Sequence, residues 1–272
     1  MNKPFLKWAG NKYRVLPHLV PHIGSPKRYC EPFGGSLSVA LNTVADQYIL
    51  NDVNKDLVAI YQNLVNPNDD SFIKYCEELF TPENNTKESY LELREHFNNA
   101  TDFIERARLF IYLNRHCFNG LSRYNSKGKF NVPFGKYDKP VCPSEQMNEF
   151  RLFFLSKQLT RFTSVSFEDS ALYSDLENGD VVYMDPPYIP ASDTASFTSY
   201  ATDGFTHEQQ VQLAELAESL TNRGIKVIIS NHDVPIAREL YKNATIYPIQ
   251  VTRTISAKGS SRKKANELIA VY

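Results

Sequence analysis

The stretch GDVVYMDPPYIP, Gly179–Pro190, decides how the rest of the chain is read. It opens as a buried strand: Val181, Val182, Tyr183 and Met184 form the unbroken apolar run expected of a strand covered on both faces. An acid and two prolines then stop it. Proline has no N–H for a sheet ladder, so a central strand ends there. That leaves Asp185 at the carboxyl end of the strand, the edge at which open α/β sheets bind ligands. The Asp185 carboxylate and the carbonyls ahead of each proline are hydrogen-bond acceptors, and Tyr188 sets a flat ring beside them. A plain surface turn accounts for the same letters, so the choice rests on what accompanies them.

Outward from this stretch, short apolar strands alternate with helical patterns, the signature of an α/β fold with parallel pairing. RYCEPF (28–33) reads as a strand, followed by a helix with Leu37, Ala40, Leu41 and Val44 on one face. QYILND (47–52) reads as a second strand, ending in Asp52. Asn54 caps a helix whose buried face carries Leu57, Ile60, Tyr61 and Leu64. From 66 to 113 the pattern is helical and polar, and 114–140 is a long basic loop of the kind that is usually functional or disordered. The alternation resumes near 146, with RFTSVSF (161–167) as a strand. Thr206 and Gln209 form a capping box for a helix carrying Leu213, Leu216, Ala217 and Leu220, which Gly224 closes. IKVIISN follows as a buried strand, and further strands lie near 245–253 and 267–272. The expected organisation is a core of 1–55 and 146–272, interrupted by a mostly helical insertion, 56–145.

Bulk properties narrow the class. The chain has 272 residues, 42% hydrophobic and 22% charged, the balance of a soluble globular protein. No apolar run reaches bilayer length, and MNKPFLKWAG has no secretory h-region, so a cytoplasmic protein is expected. Cys30, Cys76, Cys117 and Cys142 are scattered without paired spacing, which argues for reduced thiols and against a zinc site. The net charge of −1 hides an uneven distribution. Arg106, Arg108, Arg115, Arg123, Lys127, Lys129, Lys136 and Lys139 stand against one acid, Asp138. Arg253, Lys258, Arg262, Lys263 and Lys264 stand against none. Such local stripes are what phosphate binding requires.

The turn EPFGGSLSV (31–39) adds a cofactor signal. Gly34 and Gly35 let a ligand approach the backbone, and Asp52 is placed to accept hydrogen bonds from ribose hydroxyls. This points to an adenosine-containing cofactor, either a dinucleotide or S-adenosylmethionine. Asp185-Pro186-Pro187-Tyr188 favours the second. Methylating an exocyclic amine requires its lone pair to leave conjugation with the base, and two acceptors, the Asp185 carboxylate and the Pro186 carbonyl, can hold both N–H bonds as positive charge develops. Tyr188 can stack on a base withdrawn from a helix.

Taken together, the chain resembles the N6-adenine DNA methyltransferases of the Dam type (D12 class). The resemblance runs through FLKWAGNKY, EPFGGSLSV, ILNDVN, YLNRHCFNGLSRYN, FNVPFGKY, VVYMDPPY, ISNHD and RKKANELIAVY, in the family's order. It implies a Rossmann-like S-adenosylmethionine-dependent methyltransferase core with a helical target-recognition insertion. Trp8, Lys12, Glu31, Phe33, Gly35, Asp52 and Asp185 are then expected at the cofactor, and Asp185, Pro186 and Tyr188 at the reacting amine. Toward double-stranded DNA it implies Lys7, on an outer base, and the 115–139 segment. There Arg123 offers the donor pair that guanine O6 and N7 accept. Leu121 and Pro133 suit a thymine methyl, and Phe118 suits the space left by a flipped adenine. Arg115, Asn119, Asn125 and Lys136 suit bases or phosphates, as do Lys127 and Lys129. The family's usual target is GATC. One position departs from the family's F-x-G-x-G: Leu37 stands where the final glycine is usual. No metal and no obligate protein partner are expected.

Three rival readings remain. The same chemistry serves cytosine N4, RNA or protein glutamine. An oxidoreductase would use the glycine turn for NAD but leaves Asp185–Tyr188 without a role. A DNA-binding module that has lost catalysis would have no need of the acid and both prolines.

Overall fold

A computed structural model of the chain describes residues 1–190, 205–252 and 264–272. In chain order its regular elements are α1 (Leu16–Ile23), β1 (Arg28–Glu31), β2 (Gln47–Asn51), α2 (Lys55–Leu64), α3 (Phe72–Glu77), α4 (Lys87–Asn99), α5 (Phe103–His116) and α6 (Ser144–Leu155). There follow β3 (Leu159–Thr163), β4 (Val181–Met184), α7 (His207–Asn222), β5 (Lys226–His232), α8 (Pro235–Leu240), β6 (Thr245–Thr252) and β7 (Lys264–Val271). The chain divides into two compact units: Met1–Tyr13, Gly35–Asn42 and Asp52–Ser164 form the first, and Arg14–Gly34, Thr43–Asn51 and Val165–Tyr272 the second.

The second unit contains six strands in the order β2-β1-β4-β5-β7-β6. β2, β1, β4 and β5 run parallel, and β7 pairs antiparallel with both β5 and β6. One sheet face carries Cys30, Ile49, Val182, Met184, Val227, Ile229, Leu268 and Ala270, sharing a core with Leu213, Ala217 and Leu220 of α7. The alternation of these positions is the two-residue period of a strand. Pro248 is tolerated because β6 is the edge strand. The expected capping box is present: Thr206 and Gln209 bond each other's backbone at the start of α7.

The first unit contains α2 to α6 and takes in the whole expected insertion, 56–145, together with segments on either side. Asn54 accepts from the N–H groups of Asp56 and Leu57, as its position ahead of α2 predicts. Aromatic packing fills the interior: Tyr61 stacks on Phe150 at 5.2 Å, and Phe97, Phe110 and Phe130 meet edge-on or tilted.

Two expectations are corrected. No α-helix follows the glycine turn, only a single 3-10 turn at Ala40–Asn42. Leu37 takes the left-handed conformation (φ 54°), which breaks a helix in its first turn, and Val44 is 68% exposed. The strand expected at 161–167 lies at Leu159–Thr163 instead. Beyond it the Asn51 carboxamide takes both the N–H and the C=O of Val165, a side-chain substitute for strand pairing.

Candidate active site

β4 ends at Met184, so Asp185 stands at the carboxyl end of a strand with parallel neighbours on both sides. Asp185 is half-buried, Pro186 buried and Pro187 exposed. The loop is tied down by side chains from elements around it. Gln210 Nε2 donates to Pro187 O at 2.8 Å, and Ile189 N donates to Asn231 Oδ1 at 3.0 Å. His232 Nδ1 bonds Ile189 O at 2.6 Å. The Tyr188 ring meets His232 edge-on at 4.8 Å, and its hydroxyl points to Glu267 Oε2 at 3.4 Å. Burial first, and the Asp185 carboxylate second, hold the Tyr188 phenol neutral far above its usual range. In the same unit Glu31 is buried and accepts from the Tyr29 hydroxyl at 2.9 Å. Phe33 packs against Phe167 and Phe205.

Gly34 ends a segment of the second unit, and the turn from Gly35 onward belongs to the first. Asp52 accepts from Gly35 N at 2.8 Å and from Asn54 N at 2.9 Å, so one carboxylate fixes the turn and the approach to α2. Burial raises its carboxyl, against the opposing effect of these two N–H donors. Gly35 is required twice over. Its φ is +48°, and a Cβ there would lie 2.8 Å from the indole nitrogen of Trp8. Lys12 is buried, its ammonium donating to Gly10 O at 2.8 Å and its N–H to Ser38 Oγ at 3.2 Å. Leu37 is fully buried in the left-handed region, the conformation for which a glycine is the ordinary choice.

The same unit carries the expected DNA-contacting segment. After α5 the chain turns at Phe118–Gly120 and runs out and back, with bridges Cys117–Phe134 and Tyr124–Phe130. Phe118 is 50% exposed and is not part of the apolar core. Asn119 takes a left-handed conformation (φ 55°), its N–H held by the Tyr137 hydroxyl. Lys7 lies over the Tyr137 ring at 4.2 Å, and Asn114 brackets it through its N–H and C=O. Gly120 packs so closely on Lys7 that any Cβ there would collide with the lysine stem. Burial, then the nearby Arg115, lowers the Lys7 ammonium, and burial lowers Arg115 itself. Arg123 is exposed and braced by Asn131, with Nε to Oδ1 at 2.7 Å. Asn125 spends its side-chain oxygen on the N–H groups of Lys127 and Lys129, building the tip of the turn. Leu121 is half-buried, while Pro133 and Lys136 are exposed.

Sequence reading missed the residues that hold these groups. Gln210, Asn231, His232 and Glu267 around the proline loop are among them, as is Tyr137 beneath the Phe118 turn. Asp56 is another: it receives Arg106 through both carboxylate oxygens and the Tyr124 hydroxyl at 2.7 Å. The available signal was polar residues ending a buried strand, as in IISNH. The basic strip at 253–263 lies outside the described residues. Among the described residues no helix is long and apolar enough to cross a membrane, and no group of three or more His, Cys, Asp or Glu is placed to hold a metal.

Comparison with known proteins places the chain in a family. The family described as "D12 class N6 adenine-specific DNA methyltransferase" matches residues 8–255. The DNA adenine methylase of Escherichia coli (strain K12) is 46% identical over 271 residues, spanning 100% of this chain and 95% of that protein. The DNA adenine methylase of Salmonella typhi is 45% identical with the same coverage, and that of Vibrio cholerae serotype O1 is 42% identical over 99% of this chain and 96% of its own length. With the family matched over most of the chain and relatives 42–46% identical along nearly all of it, the protein belongs to the D12 class of N6 adenine-specific DNA methyltransferases.

Proposed function

We propose that the enzyme transfers a methyl group from S-adenosylmethionine to N6 of an adenine flipped out of duplex DNA, within the sequence GATC, and that it acts in the cytoplasm on the cell's DNA. The observation that carries this reading is Asp185-Pro186 at the carboxyl end of β4, a carboxylate beside a carbonyl followed by proline.

The cofactor assignment fits the donor set. A carboxylate has about four acceptor positions, and Gly35 N and Asn54 N occupy two on Asp52, leaving capacity for ribose hydroxyls. In the first unit Trp8, Lys12, Gly35 and Asp52 are assigned to S-adenosylmethionine, and in the second Glu31 and Phe33. When bound, the cofactor supplies an electrophilic methyl on a sulfonium. The chain's own residues do the rest. The Asp185 carboxylate and the Pro186 carbonyl accept the two N6–H bonds, turning the lone pair out of conjugation and stabilising the positive charge on nitrogen. Tyr188 stacks on the extruded base. Lys7, Arg115, Phe118, Asn119, Leu121, Arg123, Asn125, Pro133 and Lys136 are assigned to the duplex, with Phe118 filling the gap in the stack.

The test is transfer of labelled methyl from S-adenosylmethionine to short duplexes containing GATC or the same bases scrambled, with Asp185→Ala alongside. N6-methyladenine in the GATC duplex alone, abolished by Asp185→Ala while DNA binding persists, is the expected result. Label in adenines of every context would overturn the GATC assignment.

A further inference from the structure

Two prolines deprive the loop after β4 of consecutive backbone donors, so its own main chain cannot lock it. Three buried side chains of the same unit do so. Gln210, in the first turn and a half of α7, holds Pro187 O; Asn231, at the end of β5, holds Ile189 N; and His232 holds Ile189 O. Asn231 is wholly buried and Gln210 is 5% exposed. The two carboxamides are joined, Asn231 Nδ2 donating to Gln210 Oε1 at 3.4 Å and to the buried Tyr241 hydroxyl at 3.0 Å. Asn231 Oδ1 also accepts the N–H of His232 at 2.9 Å, which fixes which way its amide faces. The bonds that these three side chains make to the loop fall on Pro187 and Ile189, bracketing Tyr188.

Polar carboxamides are costly in an apolar core unless their bonds are made, and apolar residues of the same size would fill this space at less cost. Their placement makes sense as preorganisation: acceptors aimed at a developing cation accelerate transfer only when they need not move to meet it. We propose that Gln210 and Asn231 are positioning residues for methyl transfer, their joined carboxamides fixing Pro187-Tyr188-Ile189 so that the Asp185 and Pro186 acceptors stand ready for the amine. The inference rests on the reading of Asp185 and Pro186 as the amine clamp.

The experiment is single-turnover methyl transfer to a GATC duplex by the full chain. The variants are Gln210→Glu, Gln210→Met, Asp185→Ala and Tyr48→Phe, and the sole tryptophan, Trp8, reports cofactor binding. Gln210→Met removes the donor to Pro187 O and is expected to slow transfer about a hundredfold, the scale of a misplacement near the chemistry, with Kd for cofactor and DNA unchanged. Gln210→Glu loses the same donor while ionised, but its protonated form offers an O–H to Pro187 O. Its rate relative to wild type is therefore expected to rise as pH falls from about 8 to 6. His232 and Glu267 face the loop in both proteins, so the ratio isolates position 210. Tyr48→Phe removes a buried hydrogen bond to Thr43 O near the amino end of β2, and is expected to lower the melting temperature without changing the rate. A wild-type rate in Gln210→Glu, or a flat ratio across pH, overturns the proposal. So does a rate that falls in step with melting temperature across all variants including Tyr48→Phe. If Gln210→Met does not fold, the pH ratio of Gln210→Glu decides. Loss of transfer in Asp185→Ala with none in the Gln210 variants sinks the positioning role alone. Transfer retained in Asp185→Ala sinks the clamp beneath it.

Discussion

The carboxylate of Asp52 receives the backbone N–H of Gly35 at 2.8 Å, so the residue proposed for the cofactor also latches the glycine turn. Burial makes the charge on Asp52 expensive for the fold, as its raised carboxyl records. Asp52→Asn therefore removes a desolvation cost while losing one acceptor, and is expected to leave stability within about 1 kcal/mol of wild type. The loss falls on binding. Hydrogen bonds to a charged acceptor contribute about 1.5–3 kcal/mol, so affinity for S-adenosylmethionine is expected to drop roughly 10- to 100-fold. Quenching of Trp8, alongside urea unfolding, measures both. Equal losses in the two would make Asp52 a structural residue only.

Phe118 presents half its surface to solvent at the turn after α5. A core phenylalanine costs about 3–5 kcal/mol on truncation, whereas an exposed one changes stability by about 0.5 kcal/mol or less. Phe118→Ala is expected to follow the second pattern while slowing methylation. A fluorescent adenine analogue at the target position is expected to show reduced extrusion. Unchanged extrusion with unchanged rate would remove Phe118 from the recognition set.

Much of this was legible in the sequence because strand-ending prolines, capping residues and glycines act locally. Pro186 and Pro187 set the end of β4, Asn54 and Thr206 set the starts of α2 and α7, and Gly35 set the turn. The helix expected after Gly35 failed because apolar spacing at Leu37, Ala40, Leu41 and Val44 says nothing of backbone conformation, and Leu37 sits at positive φ. The supporting residues were hidden for another reason. Gln210 and Asn231, or Tyr124 and Asp56, meet only through the fold, 21 and 68 positions apart. A lone polar letter in an apolar run does not name its partner.

His116 ends α5, two residues ahead of Phe118, its ring stacked on Tyr112 at 3.9 Å and its Nδ1 bonded to Tyr112 O at 2.9 Å. Burial, partly offset by that bond, pushes its pKa down to about 4 from the usual 6.5. The unfolded chain therefore binds this proton more readily than the folded one. Its stabilising contribution is complete above about pH 6.5 and is lost as pH falls toward 4, amounting to about 3 kcal/mol at the limit. Urea midpoints measured across this window are expected to fall for the wild type and to fall less for His116→Phe. Parallel curves would assign the acid sensitivity to other groups.

Asp56 joins the turn-bearing segment to α2 by taking the Arg106 fork at 2.6 and 3.0 Å and the Tyr124 hydroxyl at 2.7 Å. Removing one side of a largely buried pair strands the other. Asp56→Ala is thus expected to cost about 3–5 kcal/mol, and Tyr124→Phe about 1 kcal/mol. Chemical denaturation of each variant checks the ratio. Comparable small losses would show that water replaces the carboxylate.

Arg123 is the residue on which the proposed sequence choice turns. Its guanidinium is exposed yet oriented, with Nε on Asn131 Oδ1 at 2.7 Å and Nη2 on Asn131 O at 3.3 Å. Of five N–H donors these bonds use two, and a guanine edge needs two more, on O6 and N7. Arg123→Ala is expected to reduce discrimination between GATC and its single-base variants by about 1–3 kcal/mol, while binding to unrelated duplexes changes little. Arg123→Lys does not restore it, because a point charge cannot span both acceptors. Asn131→Ala keeps the fork but frees it to rotate, so a smaller loss at the same base is expected. The measurement is kcat/KM on each duplex, with the salt dependence of binding alongside. A uniform loss on every sequence, with a salt slope reduced by about one, would place Arg123 on a phosphate and leave base choice to other residues of the turn.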